Sequence, residues 1–138
     1  MSAGRPAGAD AIDAATRAAI VAVATRYISS WYAGDHHAMA ACLHPGLLKR
    51  RIATDRDGGL EYLNCLHRDE MVAATEAGIG ARRADAFGGV AVEVLAVSGR
   101  IASATARCRE WVDHLHLLHD GGDWRIVNAL YAAPAAAD

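Results

Sequence analysis

The sequence predicts an α+β domain: three N-terminal helices packed on a strongly curved, mostly antiparallel β-sheet, together shaped as a cone. Three observations carry this. Apolar residues recur at helical spacing in the first half of the chain. From Val90 onward the pattern changes to β-branched runs, with turns at Ser98-Gly99 and Gly121-Gly122. The stretch from Ile101 to Leu118 carries no such break and reads as one strand, far beyond the usual length of about five or six residues, so it must coil or bulge. Helices followed by strands is the α+β order, and a coiled sheet wrapped around helices leaves a cavity at one end.

Each element has its own warrant. Between Ala11 and Ala33, the residues Ile20, Val23, Ala24, Tyr27 and Trp31 mark one helix face, and Gly34 ends the run. Asp35 is placed to cap a second helix, His36 to Leu43, with Met39, Cys42 and Leu43 inward. Pro45 stops it, because the residue before a proline is pushed out of the helical region. Leu47 to Ile52 follows as a short strand or extended arm, Asp57-Gly58-Gly59 turns, and Leu60 to Leu66 alternates as a strand. A third helix runs from His67 to Ala77, with Asp69 and Glu70 in the first turn where the helix dipole favours acids. Its apolar positions include Met71, Val72 and Ala74. Trp124 to Tyr131 is the last strand. Residues 1–10 and 133–138 read as disordered tails flanking one domain over 11–132.

Composition narrows the class. An apolar fraction of 53% and a formal charge of −2 describe an ordinary soluble domain. No basic stripe with interleaved aromatics points to nucleic acid, and no apolar run is long enough to cross a membrane. Cys42, Cys65 and Cys108 are unclustered and read as buried free thiols in a reducing, cytoplasmic setting.

The stretch WVDHLHLLHDGGDWRIV (111–127) sets a carboxylate and three imidazoles in an apolar run. On a strand His114 and His116 share a face, and Asp113 points to the other. Two histidines fall short of a metal's ligand set, so the expectation is histidines on the outer face of the sheet and no metal.

RYISSWYAGD (26–35), LHPGLLKR (43–50) and WVDHLHLLHDGGDWRIVNALY (111–131) together resemble the nuclear transport factor 2-like superfamily, in particular its SnoaL-like and putative lumazine-binding domains. Fold uniformity with functional spread characterises that superfamily, so membership alone names no reaction. Ketosteroid isomerases, one class within it, resemble this chain over RYISSWYAGD and VDHLHLL (112–118). That resemblance places Tyr27 at the oxyanion-hole tyrosine and Asp113 at the protonated aspartate beside it. A carboxylic acid in an apolar wall has its pKa raised and can donate a hydrogen bond, and a tyrosine aimed at the same point completes a two-donor site for a carbonyl or enolate oxygen. The isomerases' carboxylate base, however, falls here at Arg51, flanked by Lys49 and Arg50, so steroid isomerisation is not supported.

The resulting expectation is an apolar pocket for a hydrophobic, aromatic or polycyclic small molecule. The chemistry is proton transfer next to a carbonyl, with no organic cofactor, or binding without turnover. Tyr27 and Asp113 polarise the oxygen. His44 has two readings, a helix C-terminal histidine favoured by the dipole or the base missing at Arg51. Trp31, Tyr62 and Trp111 shape an aromatic wall, and Arg51 attracts an anionic ligand or is simply solvated. The resemblance further implies a homodimer formed through the sheet.

Overall fold

The structure, a computed structural model, describes residues 12–55 and 57–135. The sequence-predicted tail at 1–10 lies outside these residues, as do the last three residues of the C-terminal tail.

Helix α1, Ala14–Ala33, starts where the Asp13 carboxylate accepts from the Ala15 amide. It ends at Gly34, whose φ of 68° is left-handed and therefore suits glycine. Its buried residues include Ile20, Ala24, Tyr27 and Ile28, the stripe expected of a helix lying on a sheet. Asp35 caps α2, His36–Cys42, by accepting from the Ala38 amide. Met39, Cys42 and Leu43 are all buried, as their spacing requires.

The second helix stops earlier than expected, because Leu43 is already extended (φ −106°, ψ 131°) and opens β1, Leu43–Thr54. Pro45 and Gly46 thus sit inside a strand rather than after a helix. The strand tolerates them because its register against the neighbouring strand breaks between Leu43 and Leu48. Strand β2, Glu61–His67, pairs antiparallel with β1. In α3, Arg68–Glu76, the Glu70 carboxylate reaches back to the His67 amide at 2.9 Å. A short 3₁₀ turn, Ala81–Ala86, then leads to β3, Ala91–Ser98.

The single long strand expected from Ile101 to Leu118 is two strands. Strand β4, Ile101–Arg107, folds back through Cys108–Trp111 into β5, Val112–Asp120, and the two pair antiparallel along the whole of β4, from Arg107 opposite Val112 to Ile101 opposite Leu118. The Cys108 amide donates to the Trp111 carbonyl at 2.9 Å to close the turn. Its sequence, Cys-Arg-Glu-Trp, holds none of the glycine, proline, asparagine or aspartate that usually announces one. The hairpin from β5 to β6, Asp123–Ala132, does use glycines: Gly121 and Gly122 both have positive φ, 63° and 99°, as a two-residue mirror-image turn requires.

The strands form one six-stranded sheet in the order β2-β1-β6-β5-β4-β3, antiparallel except between β1 and β6. All three helices pack on its concave face: α1 touches β3, β4 and β6, α2 touches β1 and β6, and α3 touches β1 and β2. Inward positions alternate along each strand, for example Ala102, Ala104 and Ala106 on β4 and Asp113, Leu115 and Leu117 on β5. The alanines leave room for α1 to lie close. Cys42 and Cys108 are buried free thiols, but Cys65 is exposed on the edge strand β2, contrary to the expectation for all three. No helix among the described residues is long and apolar enough to cross a membrane.

Candidate functional site

A cavity of about 100 Å³ lies between α1, α3 and the strands β1, β2, β5 and β6. Its walls are apolar: Ile28, Leu66, Met71 and Ala74, with Trp31, Trp111 and Tyr131 around them. At its floor lie three polar side chains, Tyr27, Asp113 and Lys49.

Strand and helix periodicity bring these three together. Tyr27 belongs to the inward stripe of α1. Asp113 shares the inward face of β5 with Leu115 and Leu117, and is flanked by Ala106 on β4 and Tyr131 on β6. Lys49 shares the inward face of β1 with Leu47, between Leu66 on β2 and Ala129 on β6. The Tyr27 hydroxyl donates to Asp113 Oδ2 at 2.8 Å and accepts from Lys49 Nζ at 2.6 Å. Lys49 Nζ is itself 4.0 Å from Asp113 Oδ2, and it lies over the rings of Tyr131 and Tyr27, 4.3 and 4.9 Å from their centroids. All three residues are buried, the Asp113 side chain to 2% exposure and that of Lys49 to 10%.

Burial governs their acidity. It pushes Asp113 above the usual aspartate range, opposed by Lys49 and by the Tyr27 hydrogen bond. It pushes Lys49 below the usual lysine range, opposed by Asp113. Tyr27 is raised well above an ordinary phenol by burial first and by Asp113 second. The result is a continuous hydrogen-bonded chain from amine to hydroxyl to carboxylate, able to move one proton without moving heavy atoms.

This differs from the two-donor fork expected from the sequence. Tyr27 and Asp113 do line one cavity, but the hydroxyl proton points at the carboxylate, and a cation stands beside them. That cation is Lys49, and not Arg51. Of the 14 lysines and arginines in the chain, Lys49 is the single lysine. That count, together with the period of a strand, is the signal that would have found it. Alternation turns Lys49 inward and Arg50 outward, so Lys-Arg-Arg is not one basic arm.

The other expected residues are scattered. Trp31 and Trp111 are cavity walls, and Trp111 meets Tyr131 edge to face at 5.4 Å and 73°. A Cβ at Gly80 would overlap the Trp31 carbonyl and indole, so only glycine lets that segment close over the tryptophan. Arg51 sits at the rim beside Tyr131, lining a shallow depression outside the cavity with Ile52, Trp111 and Leu130. Tyr62 is 51% exposed on the edge strand opposite Ala53, and does not reach the cavity.

His44 is also elsewhere. Its Nδ1 accepts from the Gly46 amide at 2.9 Å, and its Nε2 lies 3.4 Å from Asp120 at the far end of β5. Seven residues of strand separate Asp120 from Asp113, roughly 20 Å at the rise of a strand. The helix expected to reach Leu43 ends at Cys42, and His44 lies inside β1, so the helix-terminus reading does not apply. His116 lies on the outer face against Asn128, at 3.3 Å, and His114 shares that face.

A second cluster holds the cavity's rim. The Tyr32 hydroxyl donates to Glu110 Oε1 at 2.8 Å, and Arg83 donates to Glu110 Oε2 through Nε at 2.7 Å and through Nη2. The Arg83 hydrogen bond, helped by Tyr32, holds the Glu110 carboxyl below the usual range. Glu110 precedes Trp111 in the β4–β5 turn, so this clasp ties the turn to α1 and the 3₁₀ segment. Tyr32 also stacks on Phe87, with ring centroids 4.8 Å apart.

A cone of helices on a six-stranded sheet, with a cavity between the two, is the architecture of the nuclear transport factor 2-like proteins. Solved structures with the same fold include one such protein from Silicibacter pomeroyi, described as of unknown function. It is 22% identical over 90% of this chain and all of its own, with a TM-score of 0.65. A second, from Methylobacillus flagellatus and also of unknown function, is 18% identical over 90% of this chain and 96% of its own, with a TM-score of 0.66. A ketosteroid isomerase-like protein from Erwinia carotovora is 14% identical over 86% and 96%, with a TM-score of 0.57. No curated protein matches the chain. The family model described as putative lumazine-binding matches residues 15–132, and the chain belongs to that family.

Proposed function

We propose that the protein binds a small cyclic carbonyl compound in this cavity and moves a proton next to the carbonyl, as a cofactor-independent isomerase, cyclase or dehydratase does. One observation carries the reading: a buried Lys49–Tyr27–Asp113 chain at the floor of an otherwise apolar cavity. Polar groups are removed from water there at a cost that packing alone does not explain, and in a pocket such groups serve chemistry. Lys49 and Tyr27 donate to the ligand oxygen as negative charge develops on it. Asp113, raised by burial, exchanges the proton. His44, far from the cavity, has no part in this scheme. At about 100 Å³ the cavity is smaller than the roughly 150 Å³ apolar cavity that takes one benzene, so a single ring is its limit and seats with a small shift of the walls. A polycyclic ligand requires the Trp111–Tyr131 wall to move. We further place the protein in the cytoplasm, on the strength of its free thiols, and as a homodimer through the sheet, on the strength of the family resemblance.

Binding without turnover is the second reading, and one observation favours it: the Tyr27 hydroxyl already has both a donor and an acceptor within the protein. Deuterium exchange separates the two. Cyclohexanone in D₂O, followed by proton NMR, should lose its α-hydrogens faster with the wild-type protein than with Asp113→Asn or with buffer. Binding of cyclohexanone with no acceleration would establish the binding module and overturn the catalytic reading.

A further inference from the structure

We propose that Lys49 is a nucleophilic amine, and that the cavity holds a small aldehyde or ketone as a reversible imine on its Nζ. This rests on the reading that the cavity admits a carbonyl compound, and adds a covalent step to it.

The chain carries its surface cations as arginine, which does not give up its proton, and puts its single lysine inside the cavity. That amine shares the cavity with Leu66, Met71 and Trp111 and is almost closed to water. A lysine serving only as counter-ion would sit directly on Asp113. Here 4.0 Å separates them, and the Tyr27 hydroxyl stands between, bonded to both. A desolvated amine with a hydroxyl and a carboxyl in line has what imine formation needs: a lone pair, a proton shuttle and a proton store.

The step balances without oxidant or reductant. One proton passes from Nζ through Tyr27 to Asp113, leaving an amine and a carboxylic acid with no change in net charge. Burial favours this direction at both ends, lowering Lys49 and raising Asp113. The Nζ lone pair then bonds to the carbonyl carbon as the C=O π pair moves to oxygen. Tyr27 gives that oxygen its proton and takes one from the new ammonium, forming the carbinolamine. Asp113 returns its proton through Tyr27, the C–O bond breaks, water leaves, and the nitrogen lone pair completes a protonated C=N bond beside the Asp113 carboxylate.

Benzaldehyde, a single ring, is the probe, with sodium cyanoborohydride near pH 7 to reduce the imine to a stable benzyl amine. Intact mass and peptide mapping locate the label, and tryptophan fluorescence without reductant reports binding. The expected result is one benzyl group per chain, on Lys49, formed faster than on the α-amino terminus. Tyr27→Phe should slow labelling on the order of tenfold or more with its circular dichroism unchanged, as loss of a proton shuttle predicts. Lys49→Arg should bind benzaldehyde but take no label in the cavity. If benzaldehyde binds the wild type and only the amino terminus is labelled, or Lys49 reacts no faster than that terminus, the imine is overturned while the pocket reading stands. If benzaldehyde neither binds nor labels, both fall.

Discussion

Lys49 and Asp113 form a buried pair in which each member is stable only because of the other. Removing one partner of such a pair costs about 3–5 kcal/mol, because a charge or an unsatisfied group stays buried, whereas replacing both with apolar groups is often neutral. The linkage signs agree. A carboxyl whose folded pKa is raised loses stability as pH rises through that value, and an amine whose folded pKa is lowered loses it as pH falls through its own. Burial disfavours the charged form of either one, so each strains the fold when alone. Urea denaturation should find Lys49→Met and Asp113→Leu each destabilised, and the double variant less so than the sum of the two. Strict additivity would mean that the two side chains do not interact.

At the scale of elements, the β4–β5 turn is the part of the site that the sequence conceals. It carries Trp111 over the cavity, and its position depends on Glu110, held by Arg83 and Tyr32 rather than by turn-forming residues. Because the folded Glu110 pKa is lowered, its contribution is present above the unfolded value and is lost as pH falls through the folded one. Glu110→Gln should therefore be less stable than the wild type at neutral pH. The gap should close on acidification below about pH 4, where a free glutamate titrates. Thermal melts across that range read it directly. A gap independent of pH would remove the carboxylate from the clasp.

Over the whole molecule, the fold was legible where local chemistry and the global plan agree. Gly34 and Asp35 punctuate the helices, and Gly121-Gly122 can only be a tight hairpin. The strand break at Cys108–Trp111 was not legible, because tertiary bonds to Glu110 fix that turn. Two of the three polar residues of the cavity could be read, since Tyr27 and Asp113 sit on clear periodic faces. Lys49 was hidden inside Lys-Arg-Arg, where charge suggested a solvated arm and only the two-residue period of a strand separates the inward residue from its neighbours. His44 misled through its place beside Pro45, which in this chain interrupts a strand and not a helix.

If the Lys49–Tyr27–Asp113 chain is what the cavity offers to the oxygen of a ligand, the hydroxyl at its centre sets the affinity. Calorimetric titration of 4-chlorophenol, a single-ring stand-in for an enolate, into wild type and Tyr27→Phe tests it most directly. The phenylalanine keeps the ring and the shape of the cavity and removes the hydroxyl at the centre of the chain. The wild type should bind one molecule per chain, and Tyr27→Phe should bind it more weakly by about 1–3 kcal/mol, the usual cost of a broken buried hydrogen bond. Equal affinity in the two proteins would contradict the claim and leave the cavity an apolar pocket whose polar floor its ligand never meets.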